Sequence, residues 1–177
     1  MAMRITMTLL LLPLAGCVPP AAPPPARVAP PPPAPVLAPA SAPAPVYRGD
    51  WRDWPLTPGD WVYRRDARGS IALFGAPGAD ASVTLRCDRL AARLYLSRKG
   101  EGAAAMTVRT TSTTRSLASQ PTGGTPAYMA VALAPADALL DAMGFSRGRF
   151  VIEQPGLPVL VVPAWAEILR VVEDCRS

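Results

Sequence analysis

Histidine is absent from all 177 residues. That removes Ser-His-Asp triads, Cys-His pairs, imidazole general bases and His-containing zinc sites. Chemistry is left to carboxylates, arginines, hydroxyls and three cysteines. Asp137 and Asp141 lie four residues apart and would share one helix face, the spacing that paired-carboxylate hydrolysis would use. The plainer reading is that one complements the helix N-terminus while the other meets solvent or Arg147. No catalytic residue, cofactor or metal site is therefore assigned. Arg86, Arg93 and Arg109 alternate with apolar Leu85, Leu94 and Val108, so they point away from the core. Pairing Leu96 with Met106 would set Arg93 opposite Arg109, which is unfavourable unless an anion sits between them. Pairing Leu96 with Val108 would instead set Tyr95 opposite Arg109, a benign stacked pair. An anion site and a solvated strand face are both open. Ser146, Arg147 and Arg149 form a second candidate anion site, a hydroxyl and two guanidinium forks that would hold a phosphate or carboxylate; a polar loop is the alternative. Trp51 and Trp54 would serve as an aromatic platform for a sugar or as a cap on the core.

What must position these residues begins well before them. Residues 1–16 read as a signal peptide, with Arg4 followed by a short apolar run through Leu9-Leu10-Leu11-Leu12. The run is too short for the ~20 residues that span a bilayer, and it contains Pro13. It ends in Leu14-Ala15-Gly16-Cys17, which resembles the lipobox of bacterial lipoproteins. The resemblance implies acyl chains on Cys17, and several chains exceed the marginal anchoring that one provides. Val18 in place of aspartate after that cysteine implies sorting to the outer membrane, facing the periplasm. In residues 18–46, 22 of 29 positions are proline or alanine. Proline at that density removes backbone donors and fixes φ, so the expectation is a stiff polyproline II spacer reaching up to roughly 90 Å at ~3.1 Å per residue.

From residue 47 to 177 the composition becomes that of one globular domain, holding all four tryptophans and all thirteen carboxylates. The chain's net charge is +5; a mild positive balance favours anionic neighbours such as lipid headgroups, and an envelope address argues against nucleic acid. With Cys17 lipidated, Cys87 and Cys175 form an even pair, most simply a disulfide in an oxidising compartment. Period-2 patterning predicts strands at 60–64, 70–74, 83–87, 92–97, 106–109, 127–133, 149–153 and 157–162. Gln154-Pro155-Gly156 suits a type II turn. A short helix is predicted from Pro135, with Gly144 as its left-handed cap. A C-terminal helix is predicted from Pro163, with a stripe at 165, 168, 169 and 172. The expected fold is mainly β (α+β), a curved antiparallel sheet or small sandwich closed by a C-terminal helix that the disulfide pins.

Leu85-Arg86-Cys87, a following strand and a much later helix ending in cysteine together resemble small one-disulfide periplasmic proteins, including accessory proteins of type VI secretion. That resemblance implies an envelope address and no particular activity. The expected function is a non-enzymatic binding or structural module held off the membrane, with an envelope protein, peptidoglycan or anionic lipid headgroups as partner. The alternative is a histidine-free carboxylate hydrolase acting on envelope glycans or lipids.

Overall fold

The computed structural model describes residues 47–102 and 105–177; Cys17, the leader and the Pro/Ala spacer lie outside the described residues. A turn of 3-10 helix, Trp51–Asp53, precedes four strands: β1 (Asp60–Asp66), β2 (Gly69–Gly75), β3 (Val83–Asp88) and β4 (Arg93–Lys99). Next come β5 (Ala105–Arg109), β6 (Thr114–Ala118), β7 (Gln120–Pro121) and β8 (Tyr128–Leu133). Helix α1 (Ala138–Gly144), β9 (Arg149–Glu153), β10 (Leu160–Pro163) and helix α2 (Ala166–Arg176) complete the chain. Two antiparallel sheets result, one ordered β1-β2-β3-β4-β8-β7 and the other β10-β9-β5-β6. This is the mainly β, helix-closed class that the period-2 patterning predicts.

Alternation along each strand builds the core. Ala72, Phe74, Val83, Leu85, Leu94 and Leu96 of the first sheet meet Met106, Val108, Phe150 and Ile152 of the second in one cluster. Helix α2 adds Ile168, Val171 and Val172 to it, and α1 adds Leu139, Leu140 and Met143. The remaining outer side of β9 and β10, Val151 and Val161, is covered by Trp51, with Tyr47 and Trp54 packed around them. The Trp54 ring packs tilted against Tyr47 with centroids 4.7 Å apart, and its indole N–H donates to the Arg48 carbonyl at 3.2 Å. These tryptophans thus cap a sheet face.

The expected disulfide is present: Cys87 and Cys175 are bonded, with Cα atoms 5.4 Å apart. The expected β9–β10 turn also forms. Leu157 N–H donates to the Gln154 carbonyl at 3.1 Å, and Gly156 at the third position has φ +87°, as a type II turn requires.

Five local expectations are corrected. The first is strand pairing: β4 pairs with β3 and β8, while β5 pairs with β6 and β9. Neither proposed β4–β5 pairing forms, because the chain leaves the first sheet after Lys99. Gly100 sustains the exit with φ +116°, its N–H donating to Ala127. Ala92, expected in a strand, is an exposed turn residue with φ +47°. Helix α1 starts after Asp137, not at Pro135: the Asp137 carboxylate accepts from Leu139 N–H at 2.9 Å, the bond that makes aspartate a preferred N-cap. Gly144 is the last helical residue and not a left-handed cap; a Cβ there would lie 2.3 Å from Leu169 Cδ2. Finally, Trp165 sits before α2 and is 44% exposed, so the buried stripe is Ile168, Val171 and Val172.

β6 and β7 are one strand that switches sheets, with Ser119 buried at the corner. The second sheet, α1 and α2 all pack on the same side of the first sheet. Among the described residues, the other side of that sheet carries no helix and no second sheet; turns border it, 76–81 beside Val62 and Leu73, and Arg68 and Thr122 beside Arg86 and Tyr95.

Candidate functional site

Two of the three strand arginines share the outer face of the first sheet, and the third lies in the other sheet. Arg86 on β3 stands directly opposite Tyr95 on β4 and bonds Asp66 at 2.8 Å. Arg93 stands opposite Asp88, is exposed, and donates to the Ala92 carbonyl at 3.0 Å. Arg109 belongs to the other sheet and pairs with Glu153 at 3.2 Å. The three-arginine face does not assemble, because Arg109's place in it depended on the β4–β5 hairpin; Arg86 and Arg93 remain on one face of the first sheet.

The second cluster is occupied by its own fold. The Ser146 hydroxyl is buried; it donates to the Arg149 carbonyl and accepts from Thr111 N–H at 3.1 Å. Arg149 Nη1 donates to the Trp54 carbonyl. Arg147 contributes its backbone N–H to Thr111 Oγ1, while the residue itself is exposed. The loop ties β9 to the β5–β6 turn and to the N-terminal segment.

Asp137 and Asp141 are spent likewise. Asp137 caps α1 and pairs with Arg115, and Asp141 receives two nitrogens of Arg176, at 2.9 and 3.1 Å. Burial pushes the Asp137 carboxyl up, but the bonds from Arg115 and Leu139 outweigh it and leave it below its ordinary value. Such a carboxylate is ionised at neutral pH and already has its partners.

The uncovered side of the first sheet has a regular inventory. One cross-strand row runs Val62, Leu73, Thr84, Ser97, Ala130, and the next runs Arg64, Ile71, Arg86, Tyr95, Ala132. Where the rows adjoin, a hollow of about 300 Å³ opens, lined by Arg86, Tyr95, Thr84 and Ser97 from β3 and β4, with Arg68 and Thr122 at its margin. Arg68 bonds Asp88 through Nε and Nη2, while Asp66 takes Arg86. The Arg86 bond holds the Asp66 carboxyl below its usual range, and the Arg68 bond does the same for Asp88. Among the described residues neither guanidinium is used up: Arg86 retains Nε and Nη2, and Arg68 retains Nη1. The hydroxyls of Thr84, Tyr95, Ser97 and Thr122 have no hydrogen-bond partner among the described residues.

The outward phase of Thr84, Arg86, Tyr95 and Ser97 follows from strand alternation. Arg68 and Thr122 come from turns, whose position over the sheet has no periodic signature. A larger hollow of about 540 Å³ opens between Gly102, Gln120 and Tyr128. Its one carboxylate is Glu101, and the Tyr128 hydroxyl donates to the Ala81 carbonyl at 2.6 Å. Among the described residues, no second carboxylate is brought there to complete an acid and base pair.

No protein family, no curated protein and no solved structure matches this chain.

Proposed function

We propose that this chain is a bacterial envelope lipoprotein, anchored through Cys17 to the outer membrane and facing the periplasm, whose disulfide-bonded domain is a non-enzymatic binding or bracing module. The observation that carries the reading is the one-sided first sheet. Helices and second sheet pack on one face, and the opposite face offers two ordered rows of side chains with a hollow between them. A sheet face of this kind is a rigid surface on which contacting groups are held by the strands rather than by loops. The hydrolase alternative loses its best support, because Asp137 and Asp141 each serve a cap or a salt bridge.

The test is a photo-crosslinking side chain at Leu73 in intact cells, with one at Glu173 on α2 as the control. An envelope adduct from Leu73 and none from Glu173 is the expected result. Alongside it, Cys17→Ala should move the chain out of the membrane fraction. Absence of an adduct from Leu73, Val62 and Tyr95 alike would overturn the binding role, as would hydrolysis of envelope glycan or lipid by the purified chain. Unchanged fractionation of Cys17→Ala would overturn the anchor.

A further inference from the structure

We infer that the hollow over β3 and β4 is a binding site for a neutral glycan, a hexose or N-acetylhexosamine unit of an envelope polysaccharide. This deepens the envelope-binding reading and rests on it. Two arginines line the hollow, yet each has its own aspartate, Arg86–Asp66 at 2.8 Å and Arg68–Asp88 beside it. The carboxylates stand behind the lining rather than in it, but each lining guanidinium is already ion-paired, so an anionic ligand would meet two salt bridges in place of two free cations and its Coulombic gain is reduced. A metal cation finds those carboxylate oxygens already engaged. A net-neutral ligand meets no such opposition.

The donor and acceptor inventory then selects among neutral ligands. Thr84 and Ser97 are direct cross-strand neighbours, as are Arg86 and Tyr95 one step along the same strands. The four side chains therefore define a patch about 5 Å across the strands and about 7 Å along them. Each free hydroxyl can both donate and accept, which matches sugar hydroxyls, themselves donors and acceptors. The remaining guanidinium N–H groups are held in direction by the aspartates, so they reach a sugar oxygen without first being ordered. The Tyr95 ring adds an apolar surface for the C–H face of a pyranose, with its own hydroxyl at the edge. A volume of about 300 Å³ lies at the small end of ligand pockets, appropriate to a short stretch of a longer chain.

The acid side of the pH range tests the charge argument. Asp66 and Asp88 have carboxyls depressed by their arginines, so both stay ionised and the hollow keeps its balance from pH 8 down to roughly pH 5, above the ordinary aspartate value near 3.9. Binding of a neutral sugar should be flat over that window.

The experiment uses the full lipidated chain in mild detergent, isotope-labelled, with three probes: a β-1,4-linked N-acetylglucosamine oligosaccharide, a neutral glucan oligosaccharide, and glucosamine phosphate. The expected result is saturable amide shifts at Thr84, Tyr95, Ser97 and Thr122 with a neutral probe, unchanged by a roughly tenfold rise in salt. Response to the amino-sugar strand points to peptidoglycan-type chains, and response to the glucan to another polysaccharide. Tyr95→Ala should weaken binding about tenfold, with Tyr95→Phe, which keeps the ring and loses one hydroxyl, falling between it and wild type. Thr84→Val, which preserves shape in the strand, should also weaken it. The inference is overturned by no shift with either neutral probe, by shifts that follow the phosphate and vanish with salt, or by shifts centred elsewhere. A negative result here with a positive Leu73 crosslink would refute the glycan and leave the binding module standing; failure of both would remove both.

Discussion

At the scale of single residues, the most constrained side chain is Arg98. It follows Leu94 and Leu96 on the core side of β4 and is only 1% exposed, with no carboxylate partner among the described residues. Its Nη1 donates to the Ile152 carbonyl at 3.3 Å, and its Nη2 donates to the Pro158 carbonyl. One guanidinium thus links the first sheet to β9 and to the β9–β10 connection. Burial pushes its ionisation down to about 10, so it stays charged at neutral pH. A buried charge without a counter-ion is costly unless it is hydrogen-bonded, and a planar fork is what lets one side chain reach two carbonyls. Arg98→Lys replaces the fork by a point charge and should cost about 1–3 kcal/mol, the penalty for leaving a buried carbonyl unmet. The pH dependence separates this from simple repacking. In the wild type, the folded value of about 10 lies below the ordinary arginine value, so relief of the charging penalty starts only above pH 10. A buried lysine shifts down from ~10.4, so the variant's stability should climb from neutral pH upward. Denaturant titrations of both proteins between pH 6 and 9 read this, and parallel flat profiles would sink it. The sequence shows the phase of Arg98 but not its burial, since an arginine at the end of an alternating strand reads equally as a frayed end.

At the scale of elements, two effects of opposite sign meet where α1 packs on α2. Helix propensity favours alanine over glycine by about 1 kcal/mol, so Gly144→Ala would stabilise an isolated helix. A Cβ there would lie 2.3 Å from Leu169 Cδ2 and 2.5 Å from Cγ, and overpacking of that kind costs about 1–3 kcal/mol. The clash should win, with Gly144→Ala lowering stability. Leu169→Ala should cancel much of that loss, so the double variant is more stable than the two single effects added together. Additive losses in a denaturation cycle would show that the helices do not meet through this pair. The same contact shows what local patterning can convey. A glycine near the end of a helical stripe reads as a cap, and only the facing helix reveals it as a point of close approach. Strand existence was legible throughout β1–β4 and β8, because alternation depends on neighbours in the chain. Strand partners were not: β8 displaces β5 beside β4, and nothing in the alternation of either encodes that choice. In the hollow, the strand residues Thr84, Arg86, Tyr95 and Ser97 were therefore legible as outward-facing, while Arg68 and Thr122 waited on the turns.

At the scale of the whole molecule, the last turn of α2 is fastened at three successive residues to three different elements. Asp174 accepts from the Tyr63 hydroxyl at 2.6 Å and from Arg65 at 2.9 Å, both on β1. Cys175 is bonded to Cys87 on β3, and Arg176 reaches Asp141 on α1 and the Pro135 carbonyl at 2.8 Å. The covalent member closes a loop across a sequence separation of 88, for which the chain-entropy argument gives about 4–5 kcal/mol. Set against the 5–15 kcal/mol that typically separates folded from unfolded domains, that is a large share. Cys87→Ala with Cys175→Ala should accordingly lower the melting temperature by more than about 10 °C. It should still leave a folded domain, because Ile168, Val171 and Val172 keep α2 in the core. Reductant should bring the wild type to the variant's melting point and leave the variant unmoved. Cys87 lies on the core side of β3 while Thr84 and Arg86 lie on the other, so loss of the bond should leave the outer rows in register: the amide signals of Thr84, Tyr95 and Ser97 should persist in the variant well below its melting point. A variant that melts within a degree or two of wild type would mean that the noncovalent fastenings alone hold the helix. Loss of the outer-face signals together with the bond would mean that the sheet depends on the disulfide for its own order.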